Sequence, residues 1–158
     1  MTKEIATFAA GCFWGVELEF GKVPGVTSTR VGYTGGHLEN PTYEKVCEDT
    51  TGHAEAVEVE FDPAVVSYQE LLDKFWGMHD PTTRHRQGPD IGSQYRSAVF
   101  CHSESQKTQA EESLAREDAS GRWANPVVTE ILTAEKFWPA EEYHQKYLQK
   151  RGIDISCH

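Results

Sequence analysis

Residues 55–61 carry the clearest period-two pattern in the chain, because three apolar residues alternate there with Glu58 and Glu60. Such an alternation predicts a strand with one face on a core and one face toward water. Apolar and β-branched runs bounded by turn residues predict four further strands. These lie at residues 5–10, 26–33, 96–102 and 127–132.

Capping residues and apolar spacing predict helices between these strands. Ser67 and Glu70 form a capping box in front of a helix whose apolar face contains Leu71, Leu72, Phe75 and Trp76. Asn40 as cap and Pro41 as first residue predict a short helix through Val46. The remaining helices are expected at residues 13–20, 104–118 and 140–150.

The element order β-α-β, followed by a second β-α-β, predicts an α+β fold. We expect a two-layer sandwich with a ferredoxin-like split βαβ core, a mixed sheet, an additional strand and outer helices. A sheet covered by helices on both faces is the alternative, but Glu58 and Glu60 argue for one exposed side. Residues 82–95 show no period and are expected to form a long functional loop. We expect one catalytic domain over residues 1–150 and a tail over residues 151–158.

The composition excludes several classes of partner. With 15 basic and 25 acidic residues, the net charge of -10 disfavours nucleic acids and anionic membranes, which bind basic surfaces. No apolar segment approaches the roughly 20 residues of a membrane span. The apolar run before Gly11 is too short for a secretory signal, so we expect a cytoplasmic protein.

The four cysteines, Cys12, Cys47, Cys101 and Cys157, form no C-x-x-C pair. Zinc sites usually contain such close ligand pairs, so we expect no structural metal, and a thioredoxin-type motif is absent. In a reducing compartment the thiols stay mostly reduced, so any disulfide should be transient and catalytic.

Cys12 has the sequence context of a reactive thiol. The strand at residues 5–10 ends in small residues, and Gly11 leads directly into a helix, which leaves Cys12 at the helix N-terminus. The positive end of the helix dipole lowers the pKa of a thiol in that position and favours the thiolate. Because free cysteine is often buried, a core position beside Phe13 and Trp14 is the alternative interpretation.

Four separate segments resemble the signature segments of the class A methionine sulfoxide reductases: GCFW at 11–14, NPTYEKVC at 40–47, TGHAE at 51–55 and QGPDIGSQYRS at 87–97. The resemblance extends from about residue 6 to about residue 147. It implies that the Cys12 thiolate attacks the sulfur of methionine sulfoxide, in its S epimer, either free or in oxidised peptides and proteins. It also implies an enzyme without a bound cofactor.

The same resemblance assigns the remaining site residues. Glu55 matches the acid that protonates the sulfoxide oxygen, which requires a buried and largely neutral carboxyl group. Tyr43 and Tyr95 match the residues whose hydroxyl groups hold that oxygen. Asp90 matches a residue that orients the thiol region or a water molecule. Phe13 and Trp14 match the aromatic pocket for the S-methyl group.

The reaction leaves Cys12 as a sulfenic acid, which another thiol must reduce. Cys157 is the expected resolving cysteine, and thioredoxin would then open the resulting disulfide. The tail at residues 151–157 contains a single glycine, unlike the glycine-rich ending that is common in the family. Cys47 and Cys101 are the alternative resolving residues. We expect the protein to be a monomer.

Two other functions use the same residues. A thiol hydrolase or transferase would combine Cys12 as nucleophile with His53 as base and Asp90 as the residue that orients the base. That interpretation gives Glu55 no task. A non-catalytic redox sensor would need only Cys12 and a second thiol.

Overall fold

Six strands form one mixed sheet in the computed structural model, which describes residues 3–153. The strands of the chain are β1 (Glu4–Ala10), β2 (Val26–Thr34), β3 (Ala54–Phe61), β4 (Arg86–Gln87), β5 (Asp90–Ile91), β6 (Ser97–Cys101), β7 (Glu130–Thr133) and β8 (Trp138–Pro139). The six-stranded sheet has the order β7-β6-β1-β3-β2-β8, and β4 pairs with β5 in a separate hairpin.

The helices are α1 (Phe13–Gly21), α2 (Tyr43–Cys47), α3 (Tyr68–Gly77), α4 (Glu104–Ala119) and α5 (Tyr147–Lys150), with 3-10 turns at Ser93–Tyr95 and Glu142–His144. The predicted capping box of α3 is present. Ser67 Oγ accepts a hydrogen bond from the Glu70 N–H at 3.1 Å, and Glu70 Oε1 accepts one from the Ser67 N–H at 3.4 Å.

The inner strand order β6-β1-β3-β2, with every neighbouring pair antiparallel, is that of a split βαβ sandwich. The chain adds β7 parallel to β6 and β8 antiparallel to β2. The predicted α+β fold with a ferredoxin-like core and a mixed sheet is therefore confirmed.

The main core lies on one face of the sheet, under α1 and α3. Phe8 of β1 stacks on Phe20 of α1 with 4.8 Å between ring centroids, and the Phe75 ring of α3 lies 5.3 Å from Phe8. The predicted alternation in β3 is confirmed, because Glu58 and Glu60 are partly exposed while Val57, Val59 and Phe61, which alternate with them, are buried. A smaller cluster around Phe100 and Phe137 covers part of the opposite face.

The end of the chain departs from the prediction. The helix expected over residues 140–150 is wrong, because its first part forms the Glu142–His144 turn and only Tyr147–Lys150 is α-helical. Lys146 interrupts the helix with φ +53°, a left-handed conformation that is uncommon for a residue with a side chain. The buried Glu17 stabilises it, since Glu17 Oε1 accepts a hydrogen bond from the Lys146 N–H at 2.7 Å.

Three smaller predictions are also corrected. Thr42, not Asn40, caps α2, because Thr42 Oγ1 accepts a hydrogen bond from the Lys45 N–H at 3.3 Å. The strand expected at residues 127–132 begins only at Glu130, since the Val128 N–H bonds instead to the Pro81 carbonyl at 2.8 Å. Residues 82–95 contain the β4-β5 hairpin, whose two-residue strands are too short to produce a period.

The sheet register determines where the site forms. Because β1 and β3 are antiparallel, the carboxyl end of β1 lies beside the amino end of β3, and Tyr33 of β2 pairs with Glu55 on the other side. The residues that follow β1 and β2 therefore lie beside the first residues of β3, at one end of the sheet. Within residues 3–153, no helix is long and apolar enough to cross a membrane.

Candidate active site

Cys12 occupies the N-cap position of α1, as the sequence predicts. Gly11 has φ +98°, a conformation that favours glycine and turns the chain sharply from β1 into the helix. Cys12 is partly exposed, whereas Phe13, the first residue of α1, is fully buried. The thiol therefore lies at the positive end of the helix dipole and within reach of solvent.

Glu55, the second residue of β3, has a side chain that is almost completely enclosed. The residue is 1% exposed, and Glu55 Oε1 accepts a hydrogen bond from the Phe13 N–H at 3.3 Å. Among the described residues Glu55 Oε2 has no hydrogen-bond partner. Burial raises the pKa of Glu55 to about 8, the Phe13 hydrogen bond lowers it, and the charge of Asp90 raises it further. The expected burial of this carboxyl group is thus present.

Tyr43 begins α2 and lies near Glu55. Burial and then the charge of Glu55 raise the pKa of the Tyr43 hydroxyl well above its usual range. The Tyr43 ring lies 6.5 Å from the Phe13 ring. Its backbone N–H donates to Glu141 Oε2 at 2.9 Å, and this bond fixes the start of α2.

Tyr95 and Asp90 reach the site from the segment after α3. Burial is the largest cause of the raised pKa of Tyr95, followed by the charge of Glu55. The charge of Cys12 also raises this pKa. Tyr95 ends a 3-10 turn, and Asp90 begins β5 and is partly buried. The structure therefore brings Cys12, Glu55, Tyr43, Tyr95 and Asp90 to one end of the sheet.

Arg96 connects the two segments that carry Glu55 and Tyr95. Its Nη2 donates to the Gly52 carbonyl at 3.0 Å, and its Nη1 donates to the Ser93 carbonyl at 2.9 Å. Its Nε donates to Glu130 Oε1 at 2.8 Å. One guanidinium group thus joins the turn before β3, the turn that ends at Tyr95, and β7. No sequence pattern indicates this role of Arg96.

Trp14 and Phe13 occupy different environments. Phe13 is fully buried against the Tyr33 ring at 5.7 Å, whereas Trp14 is partly exposed. The Tyr147 ring stacks on Trp14 with 3.9 Å between centroids and 9° between planes. Trp14 therefore offers the more accessible aromatic surface beside Cys12.

Glu141 and His144 are site residues that the sequence analysis missed. Glu141 Oε1 accepts a hydrogen bond from the Tyr33 hydroxyl at 2.8 Å, in addition to the Tyr43 bond. His144 is 1% exposed, and its Nδ1 accepts a hydrogen bond from Trp14 Nε1 at 2.9 Å. The sequence predicts one continuous helix over residues 140–150, and that pattern indicates neither contact.

The other cysteines differ in accessibility. Cys101 is 4% exposed on β6 and lies in the main core. Cys47 ends α2, is exposed, and hydrogen-bonds the Tyr43 hydroxyl, although desolvation of the sulfur and nearby acidic groups raise its pKa. Cys157, the expected resolving cysteine, lies outside the described residues.

His53 does not have the contacts of a catalytic base. Its Nδ1 accepts a hydrogen bond from the Gly36 N–H at 3.0 Å, so its Nε2–H donates to the Leu38 carbonyl at 2.7 Å. Both nitrogens thus hold the loop after β2. The arrangement gives no support to a hydrolase in which His53 activates Cys12.

Comparisons with known proteins place the chain in one protein family. The family model described as peptide methionine sulfoxide reductase matches residues 4–158. The peptide methionine sulfoxide reductase MsrA of Methanothermobacter thermautotrophicus is 64% identical over 147 residues, which cover 93% of this chain and 87% of the relative.

Solved structures show the same fold. Methionine sulfoxide reductase A of Corynebacterium diphtheriae has a TM-score of 0.91 at 38% identity, covering 99% of this chain and 78% of that one. Mxr1 from Saccharomyces cerevisiae in complex with Trx2 has a TM-score of 0.63 at 28% identity, covering 92% of this chain and 84% of that one.

Proposed function

The chain belongs to the peptide methionine sulfoxide reductase family, and we propose that Cys12 and Glu55 divide its reaction between them. The Cys12 thiolate attacks the sulfur of methionine sulfoxide and forms a sulfur–sulfur bond, while Glu55 gives its proton to the oxygen. With a second proton from solvent, the oxygen leaves as water when the S–O bond breaks. A water molecule then attacks the Cys12 sulfur and breaks the sulfur–sulfur bond, which releases methionine, leaves Cys12 as a sulfenic acid and returns a proton to Glu55. Thiol and sulfoxide become sulfenic acid and thioether, so this step needs no external reductant.

The protonation state of Glu55 carries this proposal. A carboxyl group with a pKa of about 8 still holds its proton at neutral pH, where an ordinary glutamate has lost it. The Glu55 carboxyl group also contacts the residue next to the nucleophile through the Phe13 N–H. The acid Glu55 and the nucleophile Cys12 therefore belong to the same active site.

Tyr43 and Tyr95 supply the remaining hydrogen bonds to the oxygen. Because their pKa values are raised, both phenols keep their protons over the whole working range of pH. Two fixed O–H donors stabilise the negative charge that builds on the oxygen as the S–O bond breaks. Burial is the main cause of the raised pKa of Glu55, and the charge of Asp90 adds to it, which gives Asp90 an electrostatic role.

The S-methyl group packs against Trp14 and Phe13. Burying one methyl group contributes only about 0.8 kcal/mol, so this pocket orients the sulfoxide more than it increases affinity. Fixed positions for the methyl group, the oxygen and the attacking sulfur distinguish the two epimers at sulfur, and we assign the S epimer to this enzyme. Free methionine sulfoxide and oxidised residues in peptides or proteins are the substrates.

Cys157 completes the cycle as the resolving cysteine in this proposal. It displaces the hydroxyl group of the sulfenic acid as water and forms a Cys12–Cys157 disulfide, which thioredoxin then reduces. The relative Mxr1 has been solved with Trx2, which supports a partner of this kind. Cys47 is the next candidate, since it is exposed and contacts Tyr43, whereas Cys101 is buried.

We assign catalysis to residues 1–150 and resolution to the tail at residues 151–158. The enzyme acts as a monomer without a bound cofactor. A thiol that must return to its reduced form after each turnover suits a reducing compartment, and we therefore place the enzyme in the cytoplasm.

A stereoselective assay tests the proposed function. Purified protein is incubated with dithiothreitol and each separated epimer of N-acetylmethionine sulfoxide, and the N-acetylmethionine product is quantified. The S epimer should be consumed and the R epimer left intact, and Cys12→Ser should abolish the reaction. Equal use of both epimers, or full activity of Cys12→Ser, would contradict the proposal.

A further inference from the structure

His144 lies in an enclosure of aromatic rings at the active site. Its ring centroid is 4.4 Å from that of Tyr43, 5.4 Å from that of Phe13 and 5.6 Å from that of Trp14. The residue is 1% exposed, so solvent does not reach the imidazole. None of the steps proposed for Cys12 and Glu55 uses it.

The hydrogen bond from Trp14 determines the tautomer of His144. An indole N–H can only donate, so His144 Nδ1 must accept with its lone pair at the observed 2.9 Å. The proton of the neutral ring is therefore on Nε2. Among the described residues this buried Nε2 has no hydrogen-bond partner, so Nδ1 alone ties the ring to a neighbour.

We propose that His144 is a positioning residue for sulfoxide reduction: its neutral ring holds the Trp14 indole against Tyr147 and keeps the wall of the methyl pocket in place. The stacking of Tyr147 at 3.9 Å restrains the face of the indole, and the His144 hydrogen bond restrains its rotation in that plane. The inference rests on the proposed function, because it assumes that Trp14 lines the substrate pocket.

Protonation of His144 removes this restraint. An imidazolium ion carries a proton on both nitrogens, so Nδ1–H and the indole N–H would oppose each other. The titratable groups around the ring are Glu141 and Tyr143 on its own turn, Tyr43 and Glu44 on α2, and Tyr147 on α5; α1 contributes Phe13 and Trp14, which do not titrate.

Burial lowers the pKa of His144, although the charges of Glu141 and Glu44 raise it. The pocket therefore stays assembled at neutral pH and loses the Trp14 restraint only in acid. Methionine sulfoxide should then bind less well below the depressed pKa, while the Cys12 and Glu55 chemistry itself does not depend on this ring.

Nitrogen NMR of the whole protein tests the contact without turnover. With ¹⁵N-labelled tryptophan and histidine, the four indole signals are recorded, and Trp14 is assigned through Trp14→Phe. We expect the Nε2–H tautomer of His144 at pH 7.5 and a shift of the Trp14 signal when His144 is protonated. The opposite tautomer, or a Trp14 indole signal that does not shift when His144 is protonated, would overturn the proposal.

A matched pair of variants tests the effect on substrate. His144→Asn keeps an acceptor near the Nδ1 position and cannot be protonated, whereas the isosteric His144→Leu has no acceptor. KM for His144→Leu should exceed that of His144→Asn by about two- to tenfold, the size of one neutral hydrogen bond, with kcat less affected.

The pH profile separates this effect from a general loss of packing. The wild-type KM should rise as the pH falls through the titration of His144, and His144→Asn should not show this rise. Equal KM values for the two variants, or the same acid limb in His144→Asn, would overturn the inference. If the protein reduced no sulfoxide, the NMR result would still stand, so the two failures are distinguishable.

Discussion

The Phe13 N–H donates a hydrogen bond to Glu55 Oε1 at 3.3 Å across 42 positions of sequence. This bond joins the first turn of α1, which follows Cys12, to the start of β3, which carries the buried Glu55. It forms because β1 and β3 are antiparallel neighbours, so the end of one strand meets the start of the other. The proposed nucleophile and the proposed proton donor are thus positioned by the same pair of strands.

Glu55 should reduce stability as the pH rises. Its unfolded pKa is about 4.3, while its folded pKa is raised to about 8. Between those values the folded state binds more protons than the unfolded state. The contribution of Glu55 protonation to the free energy of unfolding is therefore fully present below about pH 4.3 and is lost as the pH rises toward 8. Urea unfolding of Glu55→Gln should show a flatter pH dependence, by up to about 1.4 kcal/mol per pH unit.

Glu60→Gln is the matched control, because Glu60 lies on the same strand with a partly exposed side chain. Its unfolding free energy should follow the wild-type pH dependence. Parallel curves for wild type and Glu55→Gln between pH 5 and pH 8 would show that Glu55 ionises normally in the folded protein.

Arg96 should matter for catalysis through the position of Tyr95 relative to Glu55. Lysine has a single ammonium group and cannot span the Gly52 and Ser93 carbonyls, which the two Nη atoms bind at 3.0 and 2.9 Å. Displacement of a catalytic group by about 1 Å can reduce activity about 100-fold, so Arg96→Lys should lower kcat/KM by about 10- to 100-fold.

Glu130→Gln is the control for that variant, since it weakens only the Nε contact at 2.8 Å and leaves both carbonyl contacts intact. It should retain nearly full activity. Added guanidine should partly restore Arg96→Ala, because a free guanidinium ion can occupy the same space. Equal activities of Arg96→Lys and wild type would exclude the positioning role.

Glu141 should stabilise the fold more than its neighbour Glu142. Burial alone raises the pKa of Glu141, but hydrogen bonds from the Tyr43 N–H and the Tyr33 hydroxyl lower it by more, so the carboxylate is ionised and holds both donors. Glu141→Gln should lose about 1–3 kcal/mol of unfolding free energy in urea at pH 7.

Glu142 has a side chain that is 91% exposed and a long ion pair with Lys150 at 3.7 Å. Glu142→Gln should therefore change the unfolding free energy by less than about 0.5 kcal/mol. Equal losses for the two variants would mean that the Glu141 contacts contribute no more than an exposed charge.

Cys157 should be required for recycling but not for chemistry. Without reductant, Cys157→Ser should still form one methionine per enzyme, because the attack needs only Cys12. Turnover with thioredoxin should fall to background, whereas Cys47→Ser and Cys101→Ser should sustain it. Peptide mass mapping should find a Cys12–Cys157 disulfide in the oxidised wild type, and a Cys12–Cys47 disulfide would instead identify Cys47 as the resolving residue.

Local patterns predicted the fold wherever one element decides its own conformation. The alternation around Glu58 and the capping box at Ser67 each depend on neighbours within a few residues, and both are present. The final helix was predicted wrongly because Lys146 adopts its left-handed conformation through a hydrogen bond to Glu17, which is 129 positions away. A pattern of neighbouring residues cannot predict a contact between residues so far apart in the sequence.

The same distinction applies to the site. Cys12 could be identified from its position between a strand, a glycine and a helix, and the resemblance supplied Glu55, Tyr43, Tyr95 and Asp90. His144 and Arg96 could not be predicted, because their contacts form only in the folded chain. His144 contacts Trp14, and Arg96 contacts Gly52 and Ser93.

We propose that Glu55 protonates the sulfoxide oxygen, which leaves after Cys12 attacks the sulfur. Rapid-quench measurement of the single methionine formed without reductant tests it directly, because recycling plays no part. Glu55→Gln should form methionine about 100- to 10,000-fold more slowly than wild type. The wild-type rate should fall as the pH rises through about 8, and the variant should lack that limb. A Glu55→Gln variant that matches the wild-type rate at pH 7 would contradict the account.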